Sequence, residues 1–377
     1  QCYEEPLPVV LHSIRDNAAL RAVDAMGLQE LEAVRTILRG GSVIDWKRLN
    51  FRDVADVDHF LKLNLLDVAN TQDERRLRGM LSQSVEYLRT TFGYRVAAPV
   101  AQPADIREVF LIASGVVRPK FRRIARIVAK CMHVVHHLEA RELLFRTAIR
   151  EADLCQVVDQ RVMGEAKRMR ELGFPIIEFS GNVKARSSLI TKLLAKRESV
   201  AAQIFDRVRY RIITERADQI ISVLEHLTRT LFPWNYTVPG QTHNSLVQFR
   251  DQIAKHPNRD ELVRDLQIPL EAEDYKAPQN EFTGKGYRAL NFVVDLPVRI
   301  DDFMRPGDEQ IAEELGRVVF SLVEFQLVDQ TAARANEAGD SSHDAYKRRQ
   351  LGKVLRRLSR GLVVPKKKGA GKAPQKG

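Results

Sequence analysis

Two carboxylates in the C-terminal half of the chain stand in settings that suit phosphate chemistry. Asp206 lies at the mouth of a β-branched run, VRYRIIT, with Arg211 five residues on. Glu324 interrupts the apolar run VVFSLVEFQLVD, followed two residues later by Gln326. On a strand, residues two apart fall on the same side, so Glu324 and Gln326 share a face. Two polar side chains in an otherwise apolar strand cost free energy unless they meet a metal, water or a substrate. An acid at a strand mouth beside a basic loop is a candidate Mg²⁺ ligand, because Mg²⁺ takes one or two carboxylates and completes its shell with phosphate oxygens and water. Taken alone, an Asp in this setting is more commonly a surface residue paired with Arg, here Arg211.

Cations precede these acids. Between Lys184 and Arg211 the chain carries eight Lys or Arg, among them Arg186 and Lys192, against two acids, Glu198 and Asp206. A basic loop opening a helix can cradle a triphosphate, because the free N–H groups and the helix dipole add to the side-chain charge. The same stretch read by itself describes a solvated basic helix face. Further on, Gly284 and Gly286 flank Lys285 just before Tyr287 and another strand-like run. Tyr287 there can offer its ring to a nucleobase, or can serve as a core residue behind a glycine-rich hairpin. The segment HDAYKRR puts His343, Tyr346 and Lys347 within one helix turn.

The elements that must position these groups differ between the two halves. Residues 1 to 168 read as helical throughout. LQELEAVRTILRG sets Leu28, Leu31, Val34, Ile37 and Leu38 on one face, and Gly40-Gly41 stops it. DVDHFLKLNLLDVA and RRLRGMLSQSVEYLRTTFG repeat that pattern, AAPVAQPAD connects, and residues 118–149 form one or two long amphipathic helices. The period changes near Gly173. PIIEFS, VRYRIIT, YRALNFVVDLPV and VVFSLVEFQLVD read as strands. Between them SSLITKLLAKRESVAAQIF, with Ser187 or Ser188 as N-cap, and ADQIISVLEHLTRTLF read as helices. Gly181 is expected to turn the chain after the first strand. The fold class is therefore α+β: a helical domain over 1–168, then a mixed-sheet domain flanked by helices over 169–350.

The net charge of +11 belongs to one end of the molecule. From Lys347 onward there are twelve Lys or Arg and no acid, which leaves 48 basic against 49 acidic residues elsewhere, a balance of −1. Residues 351–377 read as a basic, disordered tail that either neutralises the phosphates of RNA or DNA, or touches another anionic surface, or only solubilises the protein. No run of about 18 apolar residues exists, so no membrane contact is expected. The chain opens on Gln1 without a charged stretch ahead of an apolar one, so no signal peptide is expected. Three scattered cysteines fit a reducing, cytoplasmic setting. His133, His136 and His137 lie in an amphipathic helical run, HVVHHLEAREL, with no His-Asp pair, and metal binding is not expected there.

In order and spacing the C-terminal motifs resemble the synthetase domain of the RelA/SpoT family, the (p)ppGpp pyrophosphokinases. Gly181-Asn182-Val183-Lys184 with Lys192, Asp206 with Arg211, Lys285-Gly286-Tyr287-Arg288-Ala289-Leu290-Asn291, Glu324-Phe325-Gln326-Leu327-Val328-Asp329 and His343 to Lys347 follow one another as the family's motifs do, over residues 175–350. The resemblance implies a nucleotidyltransferase-like fold and Mg²⁺-dependent transfer of pyrophosphate from ATP to a ribose 3′-hydroxyl, the reaction that makes the alarmones of the stringent response. It implies that Lys184 and Lys192, with Arg186 and Arg211, hold ATP phosphates. Asp206 and Glu324 would organise Mg²⁺, with Glu324 also taking the acceptor's proton. Tyr287 would stack on the acceptor base, guanine in the family, while Gln326, His343 and Lys347 line the acceptor side.

The chain departs from the family at four positions. Asn182 replaces a phosphate-binding Arg, for which Arg186 or Arg209 can substitute. Asn291 replaces a His, and Val328 and Asp329 replace an Arg-Thr pair. These departures leave open a guanosine acceptor, the adenosine nucleotides or tRNA used by toxin-like relatives, and a weakly catalytic regulator that binds nucleotide.

Overall fold

The computed structural model describes residues 21–41, 49–195, 207–254, 256–266, 286–338 and 343–359 of the 377-residue chain. Asp206, Lys285 and Gly284 lie outside the described residues, as does the end of the chain from residue 360. The helices that precede the sheet are α1 (Leu28–Arg39), α2 (Val54–Leu63), α3 (Thr71–Phe92), α4 (Ala98–Ala101), α5 (Glu108–Ser114), α6 (Arg122–Arg146) and α7 (Glu151–Glu171). There follow β1 (Ile176–Val183), α8 (Arg186–Ala195), β2 (Val208–Thr214), α9 (Gln219–Thr230), β3 (His243–Asn244), α10 (Phe249–Ala254), α11 (Arg259–Leu266), β4 (Leu290–Arg299), α12 (Glu309–Leu315), β5 (Val318–Asp329), α13 (Gln330–Glu337) and α14 (His343–Leu358). The architecture is α+β with a mixed sheet, as the alternation of apolar runs and helical periods requires.

Local chemistry sets many helix ends. Asp53 caps α2 by accepting from the Asp56 N–H, and Asn70 caps α3 by accepting from Gln72 and Asp73. At the end of α1 the Gly40 backbone is left-handed, φ 62°, and its N–H returns to the Ile37 carbonyl at 3.0 Å. A Cβ at Gly40 would also stand 3.1 Å from Cβ of Thr242, so a small residue is needed on both counts. The long amphipathic run forms one helix, α6. Among the described residues no helix is long and apolar enough to cross a membrane.

The sheet runs β1-β2-β5-β4-β3, with β2 and β5 parallel and the other neighbours antiparallel. Its two faces have opposite characters. On one, Phe179, Tyr210, Ile212, Phe292, Val294, Phe325 and Leu327 are buried beneath α7 and α9. Each such side chain contributes roughly 1.5–3 kcal/mol by leaving water. The Tyr210 hydroxyl donates to Asp159 of α7 at 2.9 Å, and Arg161 of α7 donates to the carbonyls of Pro297 and Leu231. Buried residues from α1 through α13 form one contiguous apolar cluster, so the helical segment and the sheet share a core. Helices α8 and α14 pair with each other through a smaller contact, Ala195 on Val354 with Tyr346 beside them.

Three local expectations change. Gly181 does not turn the chain: it sits inside β1 opposite Tyr210, and a Cβ there would come within 2.6 Å of that ring. Its role is to let the Tyr210 ring lie against the strand. Ser187 and Ser188 do not cap α8, because the helix already begins at Arg186 and the Ser188 N–H donates back to Ala185. Helix α14 runs on to Leu358, beyond residue 351 where the tail was expected to begin, because Val354 finds a partner on α8.

Candidate active site

The second face of the sheet carries the polar residues, and strand register lines them up in two rows. Paired residues on adjacent strands point to the same face. One row runs Ser180, Arg211, Gln326, Asn291, His243 across all five strands. The next runs Asn182, Arg209, Glu324, Val293 across four of them. The near end of this face is closed by α6: the rings of His136 and His137 lie against Phe320, and His137 Nε2 is 2.5 Å from Asp295.

Glu324 is the centre of the second row. Its side chain is 15% exposed, and Oε2 lies 3.8 Å from Arg209 Nε on the parallel neighbour. A mostly buried carboxylate beside a guanidinium offers its oxygens to a cation or a hydrogen-bond donor. In the first row Gln326 is buried, and its amide donates to the Tyr287 hydroxyl. Tyr287 itself is partly buried and sits where the chain enters β4. That entry is pinned from two sides: Arg288 N–H donates to Asn336 Oδ1 of α13 at 3.0 Å, and Ser245 Oγ donates to the Tyr287 carbonyl at 3.2 Å. Arg211 reaches Glu337 of α13 at 3.1 Å.

The two departures at the end of β5 have structural work. Asp329 caps α13, accepting from Thr331 and Ala332 at 2.9 and 3.0 Å, and Val328 is in the core. Asn182 pairs in register with Arg209, so the guanidinium that its own position lacks stands on the next strand.

Glu324, Gln326, Arg211 and Tyr287 are thus brought together, with Arg209 and Asn291 among them. Lys184 follows β1 and ties that strand to β2 through its N–H on the Arg207 carbonyl at 2.8 Å. Arg186 opens α8 and is exposed, and Lys192 is on the same helix. His343 and an exposed Lys347 are on the first turns of α14, which packs against α8. Asp206 falls outside the described residues, immediately before Arg207. Sequence reasoning passed over His243, because β3 has two residues and leaves no alternation to read.

For Mg²⁺ the donor chemistry fits in part. Among the described residues no three His, Cys, Asp or Glu converge as a metal site. A Mg²⁺ held chiefly by substrate phosphates needs only one or two carboxylates, and Glu324 is of that kind. The histidines of α6 serve otherwise. His133 and His136 are buried, bonded to Asn235 Nδ2 at 3.0 Å and Tyr236 Oη at 2.9 Å. Burial pushes both imidazoles down, His136 to about 3.

No protein-family model matches the chain, and no curated protein matches its sequence. Among solved structures the chain is similar to small alarmone synthetase 1 from Bacillus subtilis, at 16% identity and a TM-score of 0.30, over 55% of this chain and 89% of that one. The same enzyme bound to its product pppGpp aligns at 16% identity and 0.29, over 56% and 94%. A GTP pyrophosphokinase family protein from Streptococcus pneumoniae aligns at 16% and 0.27, over 54% and 83%. What this chain does has to be read from its own residues.

Proposed function

We propose that the polar face of the sheet transfers pyrophosphate from ATP to the 3′-hydroxyl of a second nucleotide, a guanosine nucleotide first among the acceptors. The observation that carries this is the register that sets Glu324 beside Arg209 and Gln326 beside Arg211 on one face, with Tyr287 on Gln326. A carboxylate, two guanidiniums and an aromatic ring within two adjacent rows match the needs of a nucleotide: charge for phosphates and a flat surface for a base.

In this reading Lys184, Arg186, Lys192 and Arg211 hold the ATP phosphates from the flank of the sheet. Arg209 takes the place of the missing Arg at position 182. Tyr287 stacks on the acceptor base, held by its bond from Gln326, and His343 and Lys347 approach the acceptor from α14. Asp206 and Glu324 hold Mg²⁺, which when bound neutralises charge on the transferred phosphates. Glu324 takes the proton from the acceptor's 3′-hydroxyl. That oxygen bonds to the β-phosphorus of ATP, the bond from the β-phosphorus to the bridging oxygen breaks, and AMP leaves with the electron pair. Catalysis here is positioning and charge neutralisation.

The test is incubation with γ-labelled ATP and Mg²⁺, offering GDP, GTP, ADP, ATP or tRNA in turn. Label in a guanosine product is the expected result. Label in tRNA or an adenosine product moves the acceptor to the toxin-like class, with the basic C-terminal segment available for RNA. Nucleotide binding without any transfer to an acceptor overturns the catalytic proposal and leaves a nucleotide-binding regulator.

A further inference from the structure

The first polar row changes character along its length. At the β2 end stands a cation, Arg211; beyond Gln326, at the β4 and β3 end, stand Asn291 and His243. Oδ1 of Asn291 and Nε2 of His243 are both buried, and neither has a hydrogen-bond partner among the described residues. An orphaned buried polar atom costs free energy, and a pair of them side by side on one face is costlier still. In the same row Gln326 is engaged with Tyr287, and Arg211 reaches Glu337 although its Nε also lacks a partner among the described residues.

Neither orphaned group brings a positive charge to a phosphate. Asn291 Oδ1 only accepts, and it would repel a phosphate oxygen. Burial lowers the His243 imidazole below its ordinary value, so the ring is neutral near pH 7 and carries no charge to offer an anion. With its proton on Nδ1, the neutral ring presents Nε2 as an acceptor. Two neighbouring acceptors next to an aromatic ring fit two neighbouring N–H donors on a flat heterocycle.

We infer that His243 and Asn291 together read the hydrogen-bonding edge of the acceptor base, and that the edge is guanine's, with its ring N–H beside its exocyclic amino group. The inference rests on the nucleotide reading above and extends it to a residue, His243, on a strand that reading does not use. Strand β3 is held in place from the helical segment: the Gly240 N–H donates to the Gly40 carbonyl at 3.2 Å, and Thr242 packs on Gly40. The base-reading end of the row is therefore positioned in part by the end of α1.

The test compares dissociation constants of GDP, IDP and ADP by calorimetry for the wild-type chain, His243→Ala, His243→Asn and Asn291→Leu, with thermal melts as the control for folding. IDP lacks the exocyclic amino group and keeps the ring N–H. Wild type should prefer GDP to IDP by about tenfold, the worth of one good hydrogen bond, and His243→Ala should bring the two within about twofold. His243→Asn, which keeps an acceptor, should retain part of the preference, and Asn291→Leu should weaken GDP and IDP alike. If wild type binds all three diphosphates and His243→Ala leaves their ratios unchanged, His243 does not read the base and the nucleotide reading survives. If wild type binds none of them, both fall.

Discussion

Glu324 and Phe325 are neighbours in sequence and opposites in role. Phe325 faces α7 and α9, stacks on the rings of Tyr210, Phe232 and Phe292, and is fully buried. Glu324 faces the other way, beside Arg209, on a face where polar groups accumulate from five strands. One side of the sheet is built to hold the fold together. The other holds groups that lower stability and have value only for what they bind. Neighbouring positions on one strand thus separate stability from activity, and substitutions on the two faces should fail in different ways.

The largest effect should come from the packed face. Phe325→Ala leaves a cavity among three rings and should cost about 3–5 kcal/mol, seen as a lower urea midpoint with whatever activity remains per folded molecule intact. Next, Glu324→Gln keeps the shape and removes the charge. Transfer should fall by about 10²–10³-fold while the midpoint stays within about 0.5 kcal/mol of wild type. A variant of Glu324 that melts early and keeps its rate would erase the contrast between the faces.

A smaller effect is set by pH. Unfolded imidazoles take up protons below about 6.5, whereas His136 resists protonation until about 3 and buried His133 is shifted the same way. Between those values the unfolded chain binds more protons, so stability must fall as pH falls, by about 1.4 kcal/mol per unit for each imidazole. Urea melts between pH 7.5 and 5.0 check this, and His136→Gln should flatten the slope even if it lowers stability throughout. The smallest effect is expected at Tyr287. Tyr287→Leu should raise the acceptor KM about tenfold with the ATP KM unchanged, and equal rises in both would remove the ring from the acceptor side.

Much of the site was legible because strands alternate. The period of two put Glu324 and Gln326 on one side before any partner strand was known. Alternation does not say which strand lies next to which, so the pairing of Glu324 with Arg209, and of Asn182 with Arg209, could not be read. His243 stayed hidden because two residues of strand carry no period. Gly181 was misjudged because a glycine looks like a turn when its reason, the ring of Tyr210, is contributed from the neighbouring strand. Asp329 looked like a missing functional residue until its place at the start of α13 made it a cap.

What the sequence determined alone was local: the helical periods of the first half, the four longer strands, the glycine and Asx caps, and the faces on which polar residues fall, all consequences of backbone geometry within a few residues. Only the tertiary structure decided the strand order and register, because these depend on which apolar faces can close one core together. That order turned separate polar positions into rows, set Glu324 beside a guanidinium, and brought His243 from a two-residue strand to the end of the row that begins with Ser180 and Arg211.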